Sequence, residues 1–454
     1  MRDTMKKYLV LGLGKSGISA AKLLCGDSKV SCWDAKAEEN FAPEILSDLR
    51  EKGAELFFGE EAKLADDYDE CIISPGIRTN HPMTSHAKTL KGELELAFEN
   101  CKGSFAAITG SNGKTTTTTV VGKLLENAGV KNVVAGNIGV PVCDSALEAD
   151  ADTVMVTEVS SFQLETIKDF HPHISVILNL TPDHLDRHGT AEEYYRCKCR
   201  VFENQTDNDF LVYNMDDEET VQHIKDCKAF KVPFTRLKPA IALSMENNAA
   251  FVNDGMITVR VDGKDTEIIN INELQVPGNH NVENILAACI TAALAGAKPR
   301  SMAKVLRGFK GVEHRMEFVR ELKGVRYIND SKGTNPDSSI RALQAIDTPV
   351  ILIAGGYEKN ADFTDFIKAF DGKVRYLILL GKTAERLAQA ARDSGFNDDD
   401  IIKCSSLEAC VASAAKLGEK GDTVLLSPAC ASWDMFESFE QRGELFKKTV
   451  KSLT

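Results

Sequence analysis

The chain has 454 residues, of which 43% are hydrophobic and 27% charged, and its formal net charge is −13. This length is too great for one ordinary hydrophobic core, and it predicts about three domains in a globular protein. The negative charge argues against nucleic acid or an anionic membrane surface as the main partner. The N-terminus has no long apolar segment, and no apolar run is long enough to span a bilayer. We therefore expect a cytoplasmic protein, and we expect it to be a monomer.

Residues 1–100 have the pattern of a dinucleotide-binding unit. An apolar run at residues 8–11 is followed by G-x-G-x-x-G at residues 12–17 and then by apolar residues at helical spacing. A second run, at residues 30–33, ends at Asp34, where such folds place an acidic residue that holds a ribose. The pattern predicts a phosphorylated ligand at the carboxyl edge of a parallel sheet. Taken alone, it would also fit an NAD-dependent oxidoreductase.

A second glycine-bearing turn predicts a site for nucleotide phosphates. Apolar residues precede the turn, and a Lys-Thr pair and a helical pattern follow it. In such loops backbone N–H groups bind phosphate oxygens, the lysine reaches the β- and γ-phosphates, and the hydroxyl ligates Mg²⁺. The loop is shorter than the usual motif, because Ile108 stands where its first glycine is expected. The alternative is an ordinary glycine-rich turn with a solvated lysine. The predicted phosphate-binding residues are Gly110, Ser111, Asn112, Gly113, Lys114, Thr115 and Thr116.

Polar side chains end two further buried strands of the central segment. Glu158 follows an apolar run at residues 153–157, and His184 follows one at residues 174–180. An acidic residue on a strand beside a phosphate loop often holds Mg²⁺, and ligands gather at such strand ends. We therefore predict a metal or substrate site that includes Glu158 and His184. Capping of a helix start is the alternative for each strand end. His188 is expected to be a surface histidine.

Lys198 lies in a polar and aromatic helical segment between Arg196 and Arg200. The like charge of these two arginines would lower the pKa of the Lys198 amine. A neutral amine can react with CO₂ to form a carbamate, which is a substitute for a carboxylate beside Mg²⁺. A solvated lysine is the common alternative for such a residue.

The remaining pattern completes an α/β protein of three domains, with limits of 1–100, 101–300 and 301–454. The first and third are expected to be Rossmann-like. The second is expected to be a P-loop-type parallel sheet with a small antiparallel appendage, since residues 249–277 alternate between hairpin turns. Basic and polar residues of the third domain follow its strands or lie near them, and we expect substrate and nucleotide contacts there rather than simple surface charge. They are His314, Arg315, Asp330, Lys332, Lys359 and Arg442.

In their order and spacing, the motifs resemble those of the Mur ligases over almost the whole chain. The resemblance lies in residues 109–116, 158–164, 183–186, 278–284, 314–315 and 329–335. Residues 426–443 resemble the branch of that family that adds D-glutamate. The resemblance implies an ATP-dependent ligase that joins D-glutamate to UDP-N-acetylmuramoyl-L-alanine through an acyl phosphate. The glycine loop at residues 12–17 would then hold a uridine diphosphate rather than NAD.

The resemblance also implies a role for each matching residue. Lys114, His184 and a carbamylated Lys198 are the expected catalytic residues. Two Mg²⁺ ions would be held by Thr115, Glu158, His184 and Lys198. ATP would contact the loop at residues 110–116 together with Asn281, Asn284, Arg315, Asp330 and Lys332. The D-glutamate pocket would consist of Thr334, Lys359, Ser432 and Phe439. The UDP-sugar would contact Lys15, Ser16, Asp34, Lys36, Gly76 and Asn137.

Three other interpretations stay open at this stage. Another Mur ligase, or an enzyme like folylpolyglutamate synthase, would share the phosphate loop and the ligase chemistry. An NAD-dependent oxidoreductase would use the loop at residues 12–17. A regulatory P-loop switch would bind nucleotide without joining two substrates. With a ligand edge in each of three domains, we also expect the third domain to close onto the second when ATP binds.

Overall fold

The computed structural model describes residues 5–59, 64, 67–245, 247–357 and 362–454. Strands and helices alternate along them and form three sheets, which is the α/β architecture that the sequence predicts. Among these residues, no helix is both long and apolar enough to cross a membrane. The domain limits at residues 100 and 300 stay a prediction.

The first sheet is parallel, with strand order β3-β2-β1-β4-β5. Its strands are β1 (Lys7–Leu11), β2 (Lys29–Asp34), β3 (Glu55–Phe58), β4 (Tyr68–Ile73) and β5 (Ala87–Gly92), and its helices are α1 (Lys15–Leu24), α2 (Pro43–Glu51) and α3 (Glu93–Asn100). The glycine turn joins β1 to α1. A Cβ atom at Gly17 would lie 1.8 Å from the Gly12 carbonyl oxygen, so the third glycine of the motif is needed for this close approach.

The central sheet has the strand order β14-β13-β12-β11-β10-β9-β6-β8-β7. Its strands are β6 (Ser104–Thr109), β7 (Asn132–Gly136), β8 (Val154–Glu158), β9 (Ile174–Ile177), β10 (Phe210–Asn214), β11 (Phe230–Thr235), β12 (Ala249–Asn253), β13 (Met256–Val261) and β14 (Lys264–Asn270). The antiparallel segment predicted for residues 249–277 is present as β12 to β14. Because β12 pairs in parallel with β11, this segment extends the main sheet and does not stand apart from it.

The helices of the central segment lie between these strands and after them. They are α4 (Lys114–Asn127), α5 (Val142–Ala146), α6 (Ser161–Leu164), α7 (Leu185–His188), α8 (Ala191–Cys199), α9 (Glu218–His223), α10 (Pro239–Met245), α11 (Asn279–Leu294) and α12 (Met302–Gly308). The predicted helix after the phosphate loop is α4, and Gly129 follows its end with φ +74°. Helix α11 packs along α4, which brings the predicted nucleotide contacts on α11 close to the loop.

The third sheet has the strand order β15-β16-β20-β17-β18-β19. Its strands are β15 (Glu317–Leu322), β16 (Val325–Asn329), β17 (Val350–Gly355), β18 (Val374–Leu380), β19 (Ile401–Lys403) and β20 (Thr423–Leu426), and its helices are α13 (Pro336–Gln344), α14 (Thr364–Lys368), α15 (Ala384–Asp393), α16 (Leu407–Leu417) and α17 (Phe439–Ser452). The strands are parallel except for β15, which pairs antiparallel with β16. Strand β15 was not predicted from the sequence.

Among the described residues, the first two sheets share a hydrophobic core, whereas the third sheet does not. One cluster of buried side chains runs continuously from the first sheet, with Tyr8 and Leu94, into the central segment, with Phe105 and Tyr194. The clusters on the two faces of the third sheet draw all their described members from residues after 315. The first two sheets are therefore joined by shared apolar packing, whereas the third sheet has cores of its own.

Helix α3 connects the first two sheets through two buried carboxylates. Glu95 accepts hydrogen bonds from the backbone N–H groups of Lys168, Asp169 and Phe170 at 2.8 to 3.1 Å. Glu93 accepts one from the backbone N–H of Cys143 at 2.7 Å through Oε1. Its other oxygen, Oε2, is buried without a hydrogen-bond partner among the described residues. Burial raises the pKa of Glu93 to about 7.

We expect Glu93→Gln to raise the free energy of unfolding relative to the wild type, and this gain should be larger at pH 8 than at pH 5. The folded state holds a proton on Glu93 up to about pH 7, whereas the unfolded chain releases it near pH 4.5. Folding of the wild type is therefore increasingly disfavoured as pH rises through this window, by up to about 3 kcal/mol above it. Glutamine stays neutral and keeps the oxygen that accepts from Cys143.

Urea unfolding of both proteins at pH 5 and pH 8 measures this difference. Glu126→Gln removes the same charge from an exposed position on α4 and serves as the control. Equal pH dependence in the Glu93→Gln variant and the control would contradict the assignment.

Candidate active site

A cavity of about 580 Å³ lies where the carboxyl edges of the three sheets meet. Its wall combines residues that are far apart in the sequence, from the first glycine turn, the phosphate loop and the loops after β16. The predicted site residues in this wall are Lys15, Ser16, Ser111, Asn112, Gly113, Lys114, Thr115, Asn137, Glu158, His184, His314, Arg315, Lys332, Thr334 and Phe439. Their roles stay predictions, but their convergence on one cavity is a structural fact.

The other predicted residues do not line this cavity. They are Asp34, Lys36, Gly76, Gly110, Thr116, Lys198, Asn281, Asn284, Asp330, Ser432 and Arg442. Several of them contact the lining residues directly, as described below. Lys359 lies outside the described residues.

The shortened phosphate loop follows from the position of Ile108. This residue is inside β6, where it pairs with Glu158 on β8 and with Val176 on β9. The turn therefore begins at Gly110, whose φ is +143°, and ends at Gly113, whose φ is +87°. A Cβ atom at Gly113 would lie 2.1 Å from Oδ1 of Asn284, and residues with side chains rarely adopt its positive φ, so both the approach to α11 and the backbone favour glycine there.

Two lysines meet at one carbonyl oxygen of the loop. Lys114 Nζ donates to the carbonyl oxygens of Gly110, at 2.7 Å, and of Ser111, at 2.9 Å. Lys198 Nζ donates to the same Gly110 oxygen at 2.9 Å and lies 4.6 Å from the centre of the Tyr194 ring. Lys198 is only 1% exposed. It is thus a buried amine in contact with the phosphate loop, not a solvated side chain.

The pKa of Lys198 is lowered well below its ordinary value, as predicted, but the predicted cause is wrong. Burial is the main cause, and the charge of Lys114 is the second. Arg196 is exposed and pairs with Glu193 on the same helix. Arg200 binds Glu203 and backbone carbonyl groups. Neither arginine is a main cause of the lowered pKa.

Glu158 has the environment expected of a cation ligand. The side chain is 1% exposed, and its Oε1 accepts a hydrogen bond from Asn137 Nδ2 at 2.9 Å. Its Oε2 is buried and has no hydrogen-bond partner in the described part of the chain. The capping alternative is wrong, because Ser160 caps α6 in a capping box with Gln163. A buried carboxylate oxygen without a donor is costly unless a cation or a ligand donor binds it, so the site fits Mg²⁺.

His184 occupies the predicted strand end in an unusual backbone conformation. It is the N-cap residue of α7, with φ +53°, and its side chain does not cap the helix. The imidazole packs edge-on against Phe162 at 4.7 Å between ring centres. His188 is not a surface residue, because its side chain is only 5% exposed and its Nε2 lies 3.1 Å from Ser161 Oγ.

A narrower cavity lies beside the phosphate loop and is lined by loop residues and by several predicted nucleotide contacts. Arg315, Asp330 and Asn284 line it together with Asn112 and Gly113. Arg315 donates to Ser338 Oγ at 3.2 Å, while its Nε is buried with no acceptor among the residues described. Asp330 accepts from Ser427 Oγ at 2.7 Å, and burial raises its pKa to about 6.

Two further nucleotide predictions take different positions. Asn281 does not line this narrower cavity, and its Nδ2 donates to the Pro277 carbonyl oxygen at 2.6 Å. Lys332 lies in the wall of the large cavity, 4.7 Å from the centre of the Phe439 ring. Burial lowers the pKa of Lys332 to about 8, and nearby Glu158 opposes that shift. Lys332 therefore places an amine of lowered pKa near Glu158, one of the predicted metal ligands.

Arg442 and Ser432 are buried residues of the third unit that do not line the cavity. Arg442 is 1% exposed, and its guanidinium donates to Ser331 Oγ and to the carbonyl oxygens of Ser331 and Cys430. The expected substrate or nucleotide contact of Arg442 stays a prediction, and in this structure the side chain holds two strand-end loops together. Ser432 is buried in one of these loops and its predicted contact with D-glutamate stays a prediction.

The predicted UDP-sugar residues divide between the cavity and the first glycine turn. Asp34 Oδ2 accepts from the backbone N–H of Leu13 at 2.7 Å, and Oδ1 accepts from that of Lys36 at 2.9 Å. This carboxylate therefore shapes the glycine turn, which leaves it less available to hold a ribose in the manner of an NAD site. The contacts predicted for Asp34, Lys36 and Gly76 stay predictions.

Models of three protein-family domains match the chain in order. They are the Mur ligase MurD-like N-terminal domain at residues 6–94, the Mur ligase middle domain at residues 108–292, and the Mur ligase glutamate ligase domain at residues 314–430. Each match contains one of the three sheets or most of it.

Curated relatives match over nearly the full length. The UDP-N-acetylmuramoylalanine–D-glutamate ligase of Thermoanaerobacter sp. (strain X514) is 46% identical, covering 99% of this chain and 98% of its own. The enzyme of that name from Clostridioides difficile (strain 630) is 42% identical, with 99% of both chains covered.

Solved structures share the fold at low sequence identity. MurF from Acinetobacter baumannii has a TM-score of 0.63 at 14% identity and covers 98% of this chain and 93% of its own. UDP-N-acetylmuramate-alanine ligase from Thermotoga maritima has a TM-score of 0.60 at 18% identity and covers 99% of this chain and 100% of its own. With all three domain models and full-length relatives in agreement, the chain belongs to the Mur ligase family.

Proposed function

We propose that this protein is an ATP-dependent ligase that joins D-glutamate to UDP-N-acetylmuramoyl-L-alanine in cytoplasmic peptidoglycan precursor synthesis. The observation that carries the proposal is the single cavity bounded by the first glycine turn, the phosphate loop and the loops after β16. A reaction of three substrates needs a nucleotide, an acid and an amine to meet in one place. The names of the full-length relatives support the same activity.

In the first step, the carboxylate of the UDP-substrate attacks the γ-phosphorus of ATP. An O–P bond forms, the bond to ADP breaks, and an acyl phosphate results. Such a transfer depends on positioning and on neutralising phosphate charge. Positive charge to neutralise the phosphates comes from several groups around one cavity. They are the backbone N–H groups of the phosphate loop, the N-terminus of α4 and the side chains of Lys114, Arg315 and Lys332.

In the second step, the amine of D-glutamate attacks the acyl carbon. The C–N bond forms, the bond from carbon to the phosphate oxygen breaks, and the proton that the amine loses leaves with the phosphate as hydrogen phosphate. Lys332, Thr334 and Phe439 form the wall from which we propose that D-glutamate approaches. A cation and a hydroxyl there suit the carboxylates of the amino acid, and the ring covers its methylene groups.

Mg²⁺ would be held by Thr115, Glu158 and His184, which all line the cavity. When bound, it neutralises phosphate oxygens during transfer. The Oε2 of Glu158, which has no hydrogen-bond donor among the described residues, and the hydroxyl of Thr115 are the hard oxygen ligands that this ion prefers. A carbamate on Lys198 would supply a further negative oxygen donor for a second ion.

Phosphate release with a panel of amino acids tests the proposal. Purified protein is supplied with ATP, Mg²⁺ and UDP-N-acetylmuramoyl-L-alanine, and then with D-glutamate, L-glutamate, diaminopimelate or no amino acid. We expect release only with D-glutamate, because the proposed pocket must select the amine. Thr334→Val keeps the side-chain shape and removes the hydroxyl. We expect it to raise the KM for D-glutamate by about tenfold, with the KM for ATP unchanged.

Other outcomes would overturn specific parts of the proposal. Release with L-glutamate or diaminopimelate, but not with D-glutamate, would contradict the substrate assignment. Release that needs no amino acid would indicate a nucleotide hydrolase or a switch. Tight binding of NADH in a fluorescence titration would favour the oxidoreductase interpretation.

A further inference from the structure

The start of helix α13 contacts the phosphate loop directly. Asp337, in the first turn of this helix, accepts a hydrogen bond from Asn112 Nδ2 of the loop. The same carboxylate oxygen accepts from Thr181 Oγ1 at 3.3 Å and from Arg341 Nε at 3.1 Å. Thr181 is in turn bound to the loop, because its backbone N–H donates to Ser111 Oγ at 2.9 Å.

Asn335 makes a second contact from the same helix start. Its Oδ1 accepts from the backbone N–H of Ser338 at 2.8 Å and so caps α13. Its Nδ2 donates to Asp183 Oδ2 at 2.9 Å. Asp183 directly precedes His184, which is in the cavity wall. One asparagine therefore both begins the helix and connects it to the strand end that carries a predicted catalytic residue.

These polar contacts differ in kind from the packing that joins the first two sheets. The described members of the third sheet's hydrophobic clusters all follow residue 315, so no shared apolar core ties that unit to the phosphate loop within the described residues. Hydrogen bonds between polar side chains can be exchanged for water at little net cost, whereas a shared core cannot. The contacts of Asp337 and Asn335 are thus suited to form and break.

The partner of Asp337 within the loop is itself held firmly. The backbone N–H of Asn112 donates to Asn179 Oδ1 at 2.8 Å, and its carbonyl oxygen accepts from Asn179 Nδ2 at 3.1 Å. The Asn112 side chain is left to reach Asp337. A fixed loop and a capped helix start thus face each other, and the geometry specifies one relative position of the two units.

We propose that Asp337 and Asn335 form a latch that holds the third unit closed on the phosphate loop, with Asp337 acting as a positioning residue through Asn112. The inference rests on the proposed function for its catalytic meaning, since closure would bring Arg315 and Lys332 to bound ATP. A ligand that binds the closed arrangement loses apparent affinity in proportion to the fraction of molecules that are open. Removing the latch therefore weakens nucleotide binding even though Asp337 does not touch the nucleotide.

The test uses the full-length protein with Asp337→Ala, Asp337→Asn and Asn335→Ser. Serine keeps the helix cap but lacks the amide that reaches Asp183. Asp337→Asn keeps an oxygen that can accept from Asn112, so its effect is smaller. Asp347→Asn is the control, because Asp347 is exposed just after α13. Calorimetry measures binding of a non-hydrolysable ATP analogue and of the UDP-substrate, and small-angle scattering measures compaction with the analogue.

We expect Asp337→Ala to weaken binding of the analogue by about tenfold, with UDP-substrate binding unchanged and with less compaction than in the wild type. We expect Asn335→Ser to weaken binding of the analogue by several-fold. Values equal to the control would overturn the latch. Weaker binding with unchanged compaction would also overturn it, since it would show that Asp337 contacts the nucleotide directly. Neither measurement needs turnover, so failure of the ligase assay with D-glutamate would refute the proposed function without deciding on the latch.

Discussion

Lys198→Ala is expected to lose at least about 99% of the ligase activity, while the protein stays folded. The amine of Lys198 is buried, contacts the phosphate loop through the Gly110 carbonyl oxygen, and has a pKa well below its ordinary value. A neutral amine of this kind is the form that reacts with CO₂. The resulting carbamate would be an anion beside the predicted Mg²⁺ ligands, and alanine cannot form it.

Two further measurements separate a carbamate from a merely structural lysine. A small carboxylate such as formate or acetate should restore part of the activity of Lys198→Ala, because it can occupy the vacated space as an anion. Labelled ¹³CO₂ should give a carbamate resonance in the wild type and not in the variant. Arg196→Ala is the control on the same helix, since Arg196 is exposed and pairs only with Glu193 among its described salt-bridge partners. Full activity of Lys198→Ala would end the carbamate hypothesis.

The sequence predicts the strand ends of this fold well, and the physical reason is simple. Buried parallel strands are continuous apolar runs, and the polar residue that ends each run lies at one edge of the sheet. Glu158 and His184 were identified in this way, and both line the cavity. The loop at residues 110–116 was likewise placed correctly, since it follows β6 and runs into the first turn of α4, and the strand position of Ile108 explains its shortened form.

Neighbours in the sequence were a poor guide to neighbours in space. Arg196 and Arg200 flank Lys198 on a helix but find other partners, and the second charge that lowers its pKa belongs to Lys114, which is distant in the sequence. The burial of Arg442 depends on loops that meet it only in the folded chain. Sequence patterns near one residue carry no information about such partners.

The contact between Asn112 and Asp337 is the clearest case of this kind. The two residues are 225 positions apart; Asn112 belongs to a segment that the motifs marked, whereas Asp337 lies two positions beyond the segment at residues 329–335. Asn335 before Pro336 fits the pattern of a helix start, but it was not predicted as one from the sequence. What the sequence could not supply was the relative position of the second and third units, which gives that helix start its partner on the phosphate loop.

Glu158→Gln should reduce phosphate release with D-glutamate by at least about a hundredfold and leave the protein as stable as the wild type or more stable. The two effects have one cause. In the protein without Mg²⁺, the Oε2 of Glu158 is a buried negative oxygen with no donor among the described residues, which costs about 1–3 kcal/mol. Glutamine keeps the oxygen that accepts from Asn137 Nδ2 and removes the charge. A residue retained at a cost to folding is best explained by what it binds.

Activity measured across a range of Mg²⁺ concentrations, together with thermal unfolding without Mg²⁺, checks both halves of this prediction. If Glu158 holds the ion, the variant should need more Mg²⁺ for half-maximal activity, and added Mg²⁺ should raise its unfolding temperature less than that of the wild type. Glu148→Gln, at an exposed position in the same segment, gives the effect of the charge change alone. A variant that is less stable but needs no more Mg²⁺ would make Glu158 a structural carboxylate, and the predicted metal site would then lose its central ligand.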